Sequence, residues 1–263
     1  MVVCTLHIIA LKPGVSVASF LSKLREGNAK PVFQAKALRW MILPSNQSAG
    51  HLLGRNKHWD LLIGLEAGVP IPPRAVADME DVWTASCGVS SKALSGYAQL
   101  NAKLFDAATP PMPFPSDRGT ASSQNLELSS ELREWCAALP PELQDRPISM
   151  LNLLAFAPGK KDQYKKYGVE FSSRVGANYG GHPKLIGRVI EGGEGRAHED
   201  GWDEVAFVHY PSLNHFASML ASTPYQEVNQ QYRLGALKDT FILCVVEIDD
   251  RGELVAKQLK HKL

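Results

Sequence analysis

The sequence contains one apolar segment in two copies. The first copy is "LHIIALKPG", residues 6–14, and the second is "LNLLAFAPG", residues 151–159. Each reads as an apolar strand that ends in Pro-Gly, a turn signal. Inside the apolar strand, the polar residue is His7 in the first copy and Asn152 in the second. We therefore expect two related units, one with an ionisable side chain in its first strand and one with an amide.

Two further pairs of segments occur in the same order along the chain. "HWDLLIGLEAG" begins at His58 and "GWDEVAFVHYPS" begins at Gly201, which aligns Asp60 with Asp203. An Ala-Ser pair, starting at Ala85 in one half and Ala221 in the other, is interpreted as following a helix in both. Ordered self-similarity of this kind predicts a duplicated structural unit.

Periodicity and turn signals predict the elements of each copy. In the second copy we predict strands at 148–156, 184–192, 203–210 and 241–249, and helices at 160–178, from Ser212, and at 224–237. In the first copy we predict strands at 2–11, 36–43 and 58–66, and helices at 16–26, 73–85 and 90–103. The last strand of the first copy is left open, because "KLFDAATPPM" is short and broken by proline.

The order β-α-β-β-α-β makes a four-stranded antiparallel sheet with helices on one face. Strands such as "TLHIIAL" are apolar at both alternating sets of positions, so both sheet faces must be covered. We predict an α+β fold of two tandem ferredoxin-like repeats, 1–108 and 147–250, packed sheet to sheet as a pseudo-dimeric α/β barrel. Residues 109–146 are predicted to form a linker with a short helix, and 251–263 a C-terminal tail.

Composition narrows the class of protein. Lys plus Arg number 28 against 27 Asp plus Glu, a net charge of +1, which argues against a nucleic-acid partner. No segment approaches the roughly 20 apolar residues of a membrane span, and the N-terminus lacks the features of an export signal. The four cysteines are widely spaced, so neither disulfides nor a zinc site is indicated. We expect a cytoplasmic protein, monomeric or weakly homodimeric.

The second copy resembles the small dimeric α/β-barrel proteins. The resemblance rests on "YKKYG" (164–168), "YGG" (179–181) and "PSLNHFASMLASTPYQEVNQQYRLGA" (211–236), and it covers about residues 147–249. "HIIALKPG", with its leading histidine, is similar to the first strand of olivetolic acid cyclase-like enzymes in that superfamily. The resemblance implies ferredoxin-like repeats and a small-molecule cavity between sheet and helices. The superfamily includes cyclases, isomerases, decarboxylases, cofactor-free monooxygenases and haem enzymes, so fold leaves function open.

His7 is the first candidate for catalysis. It lies among Leu6, Ile8 and Ile9, and a buried imidazole tends to stay neutral and able to accept a proton. That property suits a general base acting on a phenol or an activated methylene. The alternative is a core histidine bonded to a backbone carbonyl. Asn152, at the matching position, cannot exchange a proton.

The remaining candidates are strand and helix residues with polar side chains. The full predicted site is catalytic His7, Arg39 and His58, with substrate-binding Trp40, Asn152, Tyr167, Arg188 and His209. An arginine among apolar residues must find an anion or solvent, so Arg39 and Arg188 could hold a carboxylate or enolate. A salt bridge of Arg39 to Asp60, Asp203 or Glu204, solvent exposure of the later histidines, and simple packing of Tyr167 are the alternatives.

These observations predict a cofactor-independent isomerase or cyclase. We expect a cavity in the first repeat, where His7 promotes aldol or oxa-Michael ring closure of a small phenolic or polyketide-like substrate. No metal or other cofactor is expected, because the sequence carries no Walker, H-E-x-x-H or G-x-S-x-G motif and no local haem signal. The alternatives are a cofactor-free monooxygenase or decarboxylase on the same scaffold, and a non-catalytic ligand-binding protein.

Overall fold

Eight strands close into one antiparallel barrel in the part of the chain that the structure describes. The structure is a computed structural model, which describes residues 1–47, 50–53, 57–106, 109–115 and 129–255. The strands are β1 (Val2–Leu11), β2 (Phe33–Ile42), β3 (Leu61–Glu66), β4 (Met79–Val89), β5 (Ile148–Phe156), β6 (His182–Val189), β7 (Glu204–Tyr210) and β8 (Leu237–Glu247). The predicted tail beyond residue 255, and residues 116–128 of the predicted linker, lie outside the described residues.

The barrel joins the two halves of the chain at their strand edges. Around the barrel the order is β1-β3-β2-β8-β5-β7-β6-β4. Each half is thus contiguous, in the order β4-β1-β3-β2 and β8-β5-β7-β6. Edge pairing joins the halves through Ala37↔Val245 on one side and Gly88↔Arg188 on the other. The two sheets therefore form one closed, hydrogen-bonded barrel rather than two layers that meet only through their faces.

Alternation along each strand divides the side chains between the barrel interior and its outer surface. In β1, Leu6 and Ile8 point inward and join the interior core that both halves build. Ile9 and Leu11 point outward and pack in the cluster that contains Phe20 of the first helix. His7 belongs to the outward set. The continuous apolar character of these strands is explained by burial of both faces.

The helices lie outside the barrel or between strands. In the described residues they are α1 (Val17–Glu26), α2 (Gly50–Leu53), α3 (Pro73–Val76), α4 (Ser91–Ser95), α5 (Tyr97–Asp106), α6 (Ser130–Ala138), α7 (Pro141–Gln144), α8 (Lys161–Glu170), α9 (Ala177–Tyr179), α10 (Leu213–Leu220) and α11 (Thr223–Val228). Two π-helical turns, Phe171–Gly176 and Asn229–Arg233, continue α8 and α11. In this part of the chain no helix is both long enough and apolar enough to cross a bilayer.

The predicted helix at 73–85 is wrong. Only the short α3 forms there, and β4 follows it from Met79. The residues "VWTASCGV" place Trp83, Ala85 and Cys87 in the interior core with period two, and barrel closure requires a strand at this position. Ala85 is therefore a strand residue, whereas Ala221 lies between α10 and α11. That pair does not mark equivalent positions.

A buried ion pair lies at one end of the barrel. Lys184, at an irregularity of β6, contacts the Glu247 carboxylate of β8, and both are almost fully buried. Glu247 also accepts hydrogen bonds from the Tyr97 hydroxyl at 3.2 Å and the Asn101 amide at 2.6 Å. The ammonium lies 4.5 Å from the ring centre of Phe207. These contacts compensate two charges that burial alone would make costly.

The glycine-rich loop that follows β6 lies alongside β4 of the other half. The Arg196 amide donates to the Thr84 carbonyl at 3.2 Å, and the Glu194 amide donates to the Ser86 hydroxyl at 3.0 Å. Gly195 has φ of +84°, and a Cβ at this position would lie 2.1 Å from the Thr84 carbonyl oxygen. The approach of the loop to β4 therefore requires glycine at Gly195 for two independent reasons.

Replacing Gly195 with alanine is expected to destabilise the fold by about 3 kcal/mol, the sum of left-handed strain and the clash with β4. Gly192→Ala is the matched control, because Gly192 has φ of +65° but nothing within 4 Å of its would-be Cβ. It should cost about 1 kcal/mol. Urea unfolding monitored by circular dichroism measures both values. Equal losses in the two variants would contradict the close loop–strand contact.

Candidate functional site

A cavity of about 710 Å³ lies between the outer face of the second-half sheet and the helices that cover it. The sheet contributes residues of β5, β6, β7 and β8 whose side chains point outward. The helical wall comes from α8, α10, α11 and the two π-helical turns. The polar and aromatic side chains of its lining include Asn152, Tyr164, Tyr167, Glu204, Tyr210, Tyr225 and Arg233. A volume of this size is typical of sites for small organic ligands.

Aromatic side chains of α8 form one wall of the cavity. The ring centres of Tyr164 and Tyr167 are 5.3 Å apart, and those of Tyr167 and Phe171 are 5.8 Å apart. The spacing of three and four residues places all three on one helix face. Tyr225 meets Phe171 edge to face from α11. Its position is fixed by the Ser222 hydroxyl, which caps α11 by accepting from the Tyr225 amide.

Arg233 brings a positive charge into this aromatic wall. It ends the π-helical turn after α11, is 2% exposed and lines the cavity. Its Nη2 donates to the Thr240 hydroxyl at 3.2 Å, and that hydroxyl donates to the Leu153 carbonyl at 3.2 Å. A further hydrogen bond joins Arg233 and Tyr164. Helical turns of the π type occur often at functional sites, because the extra residue redirects side chains.

The phenols around Arg233 remain protonated at neutral pH. Burial raises the pKa of Tyr164 to about 12, an effect that the charge of Arg233 partly opposes. Burial also raises the pKa of Tyr167, Tyr210 and Tyr225. These groups can therefore donate hydrogen bonds to a ligand but cannot act as bases in their ground state.

Asn152 presents an acceptor to the cavity from the sheet. Its Nδ2 donates to the backbone carbonyls of Met150 and Ala206, both at 3.1 Å. These two bonds fix the orientation of the amide, since a flipped amide would place Oδ1 against two carbonyl oxygens. Oδ1 accepts no hydrogen bond from the described residues, and the side chain lines the cavity.

Glu204 supplies a carboxylate at the edge of the cavity. Among the described residues that line the cavity it is the sole acid. The Lys161 ammonium lies 3.4 Å from it and 5.1 Å from the ring centre of Phe156. The carboxylate side chain is 18% exposed, so it can exchange protons with water. Elsewhere in the described chain, no three His, Cys, Asp or Glu side chains are grouped as metal ligands would be.

His7 is buried on the outer face of the first-half sheet and does not line this cavity. Its Nδ1 lies 2.9 Å from the Thr84 hydroxyl. Burial lowers the pKa of the imidazole to about 4, so the side chain is neutral at physiological pH. The partner is thus a hydroxyl rather than the backbone carbonyl considered above. Its catalytic role stays a prediction.

The other predicted site residues are dispersed over the molecule. Arg39 pairs with Glu131 and stacks on the Trp135 ring, so its ion pair differs from the three considered. Trp40 stacks on Phe241, with ring centres 4.2 Å apart, among residues of the interior core. No direct contact brings Arg39 or Trp40 into the cavity, and their predicted roles remain untested.

Three further candidates also lie outside the lining of the cavity. The His58 side chain is 79% exposed and lies 3.6 Å from Asp60. Arg188 is exposed on β6. His209 is buried, with its ring centre 5.9 Å from that of Phe105. Asn152 and Tyr167 are therefore the predicted residues that the cavity brings together.

Sequence reasoning missed Arg233 and Glu204. The available signal for Arg233 was its spacing of eight residues from Tyr225, which places both on one helix face. Glu204, the first residue of β7, belongs to the same alternating set as Ala206 and Val208, whose side chains point outward. Neither signal is specific, because exposed helix and strand residues show the same spacing.

The neutral imidazole of His7 makes stability depend on pH. Unfolding raises its pKa from about 4 to about 6.5, so the unfolded chain binds the extra proton between these values. The free energy of unfolding should therefore fall as pH drops from 6.5 to 4, by up to about 3 kcal/mol. In His7→Gln this part of the slope should disappear. Urea titrations from pH 4 to 7 measure it, and His58→Gln, which removes an exposed imidazole, is the control.

No family model and no curated protein matches the chain, but solved structures resemble it. A protein of unknown function from Rhodopseudomonas palustris is 25% identical, over 44% of this chain and 91% of that one, with a TM-score of 0.35. A "putative monooxygenase" from Lactobacillus acidophilus is 6% identical over 93% of each chain, with a TM-score of 0.44. Another "putative monooxygenase", from Fusobacterium nucleatum, is 10% identical over 98% of each chain, with a TM-score of 0.42.

The expectation of a ring-closing isomerase or cyclase is wrong. The similar structures are named for monooxygenases, an anthrone oxidase-like protein and aldoxime dehydratases, and none of these is a cyclase or an isomerase. The cavity also lies in the second half, whereas the expectation placed it in the first half around His7. The closed antiparallel barrel agrees with the fold that the resemblance to dimeric α/β-barrel proteins implied.

Proposed function

We propose that the protein is a cofactor-independent monooxygenase that oxidises a small hydroxyaryl substrate in the second-half cavity. The observation that carries this proposal is the buried Arg233, which lies among tyrosine side chains in the wall of the cavity. Such a site favours an electron-rich aromatic anion, because a cation in a low-dielectric site attracts negative charge strongly. Electron-rich carbanions are the organic species that react with oxygen directly.

The reaction needs no external reductant. An activated methylene between aromatic or carbonyl groups reacts as R₂CH₂ + O₂ → R₂C=O + H₂O. The substrate supplies all four electrons, one oxygen atom enters the new carbonyl group, and the other leaves as water. The protein has to remove a proton, stabilise the resulting carbanion and exclude competing water.

The cavity residues divide these tasks. Glu204 accepts the proton from the methylene, since it is the carboxylate of the cavity wall and reaches solvent at the edge. The positive charge of Arg233 attracts the anionic substrate and favours the carbanion. Tyr225 donates a hydrogen bond, and the apolar walls hold the substrate rings. His7, Arg39 and His58 have no part in this scheme.

We also propose that the barrel arose from two ferredoxin-like repeats. Within the barrel the local strand order of each half is fourth-first-third-second, with all neighbours antiparallel. This is the order of the β-α-β-β-α-β unit. The proposal explains why His7 and Asn152 occupy corresponding places, each on the outward face of the first strand of its half.

Oxygen uptake with a panel of polycyclic hydroxyaryl compounds tests the function. Wild-type protein should consume one O₂ per carbonyl product, which is 14 mass units heavier than the substrate. Glu204→Gln should lower kcat by 10²-fold or more, because it removes the general base. Arg233→Met should mainly raise KM. Arg251→Met, which removes an arginine that is 82% exposed, is the matched control and should leave both constants unchanged.

Three outcomes would contradict the proposal in distinct ways. Release of CO₂ without oxygen uptake would identify the decarboxylase alternative. Tight binding of the panel with no product would favour a non-catalytic ligand-binding protein. Loss of turnover in His7→Gln, with Glu204→Gln fully active, would place the chemistry in the first half of the chain.

A further inference from the structure

We infer that the ligand of the second-half cavity carries an apolar substituent, which lies in a groove beside α8. The inference rests on the proposed function for the identity of the site and deepens it, because it names a feature of the substrate. The groove has a volume of about 250 Å³ and is lined by Lys165, Lys166, Val169, Glu170 and Tyr232.

The groove continues the cavity to the surface of the protein. Lys165 and Val169 line both spaces, and their spacing of four residues places them on one face of α8. Tyr232 contributes to the groove from the second π-helical turn, and its carbonyl accepts a hydrogen bond from Nε2 of Gln163 at 3.4 Å. That bond holds the turn beside α8. A ligand in the cavity can therefore extend along α8 into the groove.

The opening of the cavity is apolar. Val169 is 67% exposed and Ile186 is 51% exposed, and both line the cavity. Single exposed apolar residues are normal on a protein surface, but two at the opening of one cavity form a patch that an apolar ligand group would cover. The other large apolar residues that are exposed in the described chain line neither the cavity nor the groove; they are Met1, Val2, Leu43, Val76 and Val82.

The charged side chains of the groove have partners along the helix. The Lys165 ammonium lies 2.7 Å from the Asp162 carboxylate, one turn toward the start of α8, whereas Val169 lies one turn toward its end. The Glu170 carboxylate lies 3.8 Å from the Arg174 guanidinium, one turn further along. An uncharged apolar group suits this surface, since it covers aliphatic carbon while the charged ends stay in water.

The length of the groove along α8 sets the size of the substituent. Lys165 and Val169 are separated by four residues, a rise of about 6 Å along the helix axis. An alkyl chain of about four carbons spans a similar distance. We therefore expect such a chain to fill the groove, with the ring system of the ligand in the cavity.

A series of 6-alkyl-2-naphthols tests the inference by calorimetry with the intact protein. The substituent is hydrogen, ethyl, butyl or hexyl. Affinity should rise roughly two- to fourfold for each methylene group up to butyl, as expected for partly to fully buried methylenes. From butyl to hexyl it should change by about twofold at most, because the longer chain passes the end of the groove into water.

A charge in the groove should remove the preference for the chain. In Val169→Asp the advantage of the butyl compound over 2-naphthol should fall to about twofold or less, since an apolar chain beside a carboxylate would desolvate it. Val76→Asp, at a valine that is 46% exposed outside the groove, is the matched control and should keep the advantage. Circular dichroism verifies folding, and the wild-type series decides the inference even if the Val169 variant does not fold.

A butyl chain that ends in a diazirine locates the substituent directly. Irradiation of the complex should label Val169 or Tyr232, which mass spectrometry of the digested protein identifies. Labels found only at residues outside the groove would overturn the inference.

Affinity that is independent of chain length, that rises equally up to hexyl, or that is undetectable for the whole series would also overturn it. So would a butyl advantage that survives in Val169→Asp. The expected dependence on chain length, without oxygen uptake by any substrate of the panel, would refute the monooxygenase and retain the substituent. Oxygen uptake with substrates of the panel, while butyl and unsubstituted compounds bind equally, would do the opposite.

Discussion

Hydrogen bonding between the strand edges of the two halves is the constraint on which this structure depends. A four-stranded sheet has two edges whose backbone groups need partners, and here each half provides them for the other through β2–β8 and β4–β6. Closure also creates a shared interior, filled by Leu6 and Ile8 from one half and Leu151 and Leu153 from the other. The interior is a packed core, and the cavity of the second half lies outside the barrel, between strands and helices.

The outer faces of the halves differ because their helices differ. Between β7 and β8 the chain forms α10, α11 and a π-helical turn. Together with α8, these helices leave a space above the sheet and enclose the cavity. Between β3 and β4 only the short α3 occurs, and the glycine-rich loop that follows β6 lies beside Thr84 and Ser86. The same strand position thus carries a buried histidine in one half and a cavity-lining asparagine in the other. Similarity of two strands does not imply similarity of the sites beside them.

The electrostatics of the cavity follow from how its polar groups are held. Arg233 is costly to bury, and its hydrogen bond to the Thr240 hydroxyl and the surrounding phenols offset part of that cost. Asn152 is fixed by two backbone carbonyls, so its remaining acceptor is preorganised. Preorganised groups of opposite polarity a short distance apart orient a ligand more effectively than flexible surface groups do.

The sequence by itself determined most of the strand segments and their burial on both faces, because apolar periodicity and turn residues are local properties. It also singled out Asn152 and Tyr167. It failed for 73–85, where apolar residues of a strand were interpreted as a helix, and for Arg233 and Glu204, whose spacing resembles that of ordinary surface residues. Only the tertiary structure decided which outer face is open, since that depends on the helices that cover each sheet. Cavities arise from contacts between residues far apart in sequence, and no local pattern encodes them.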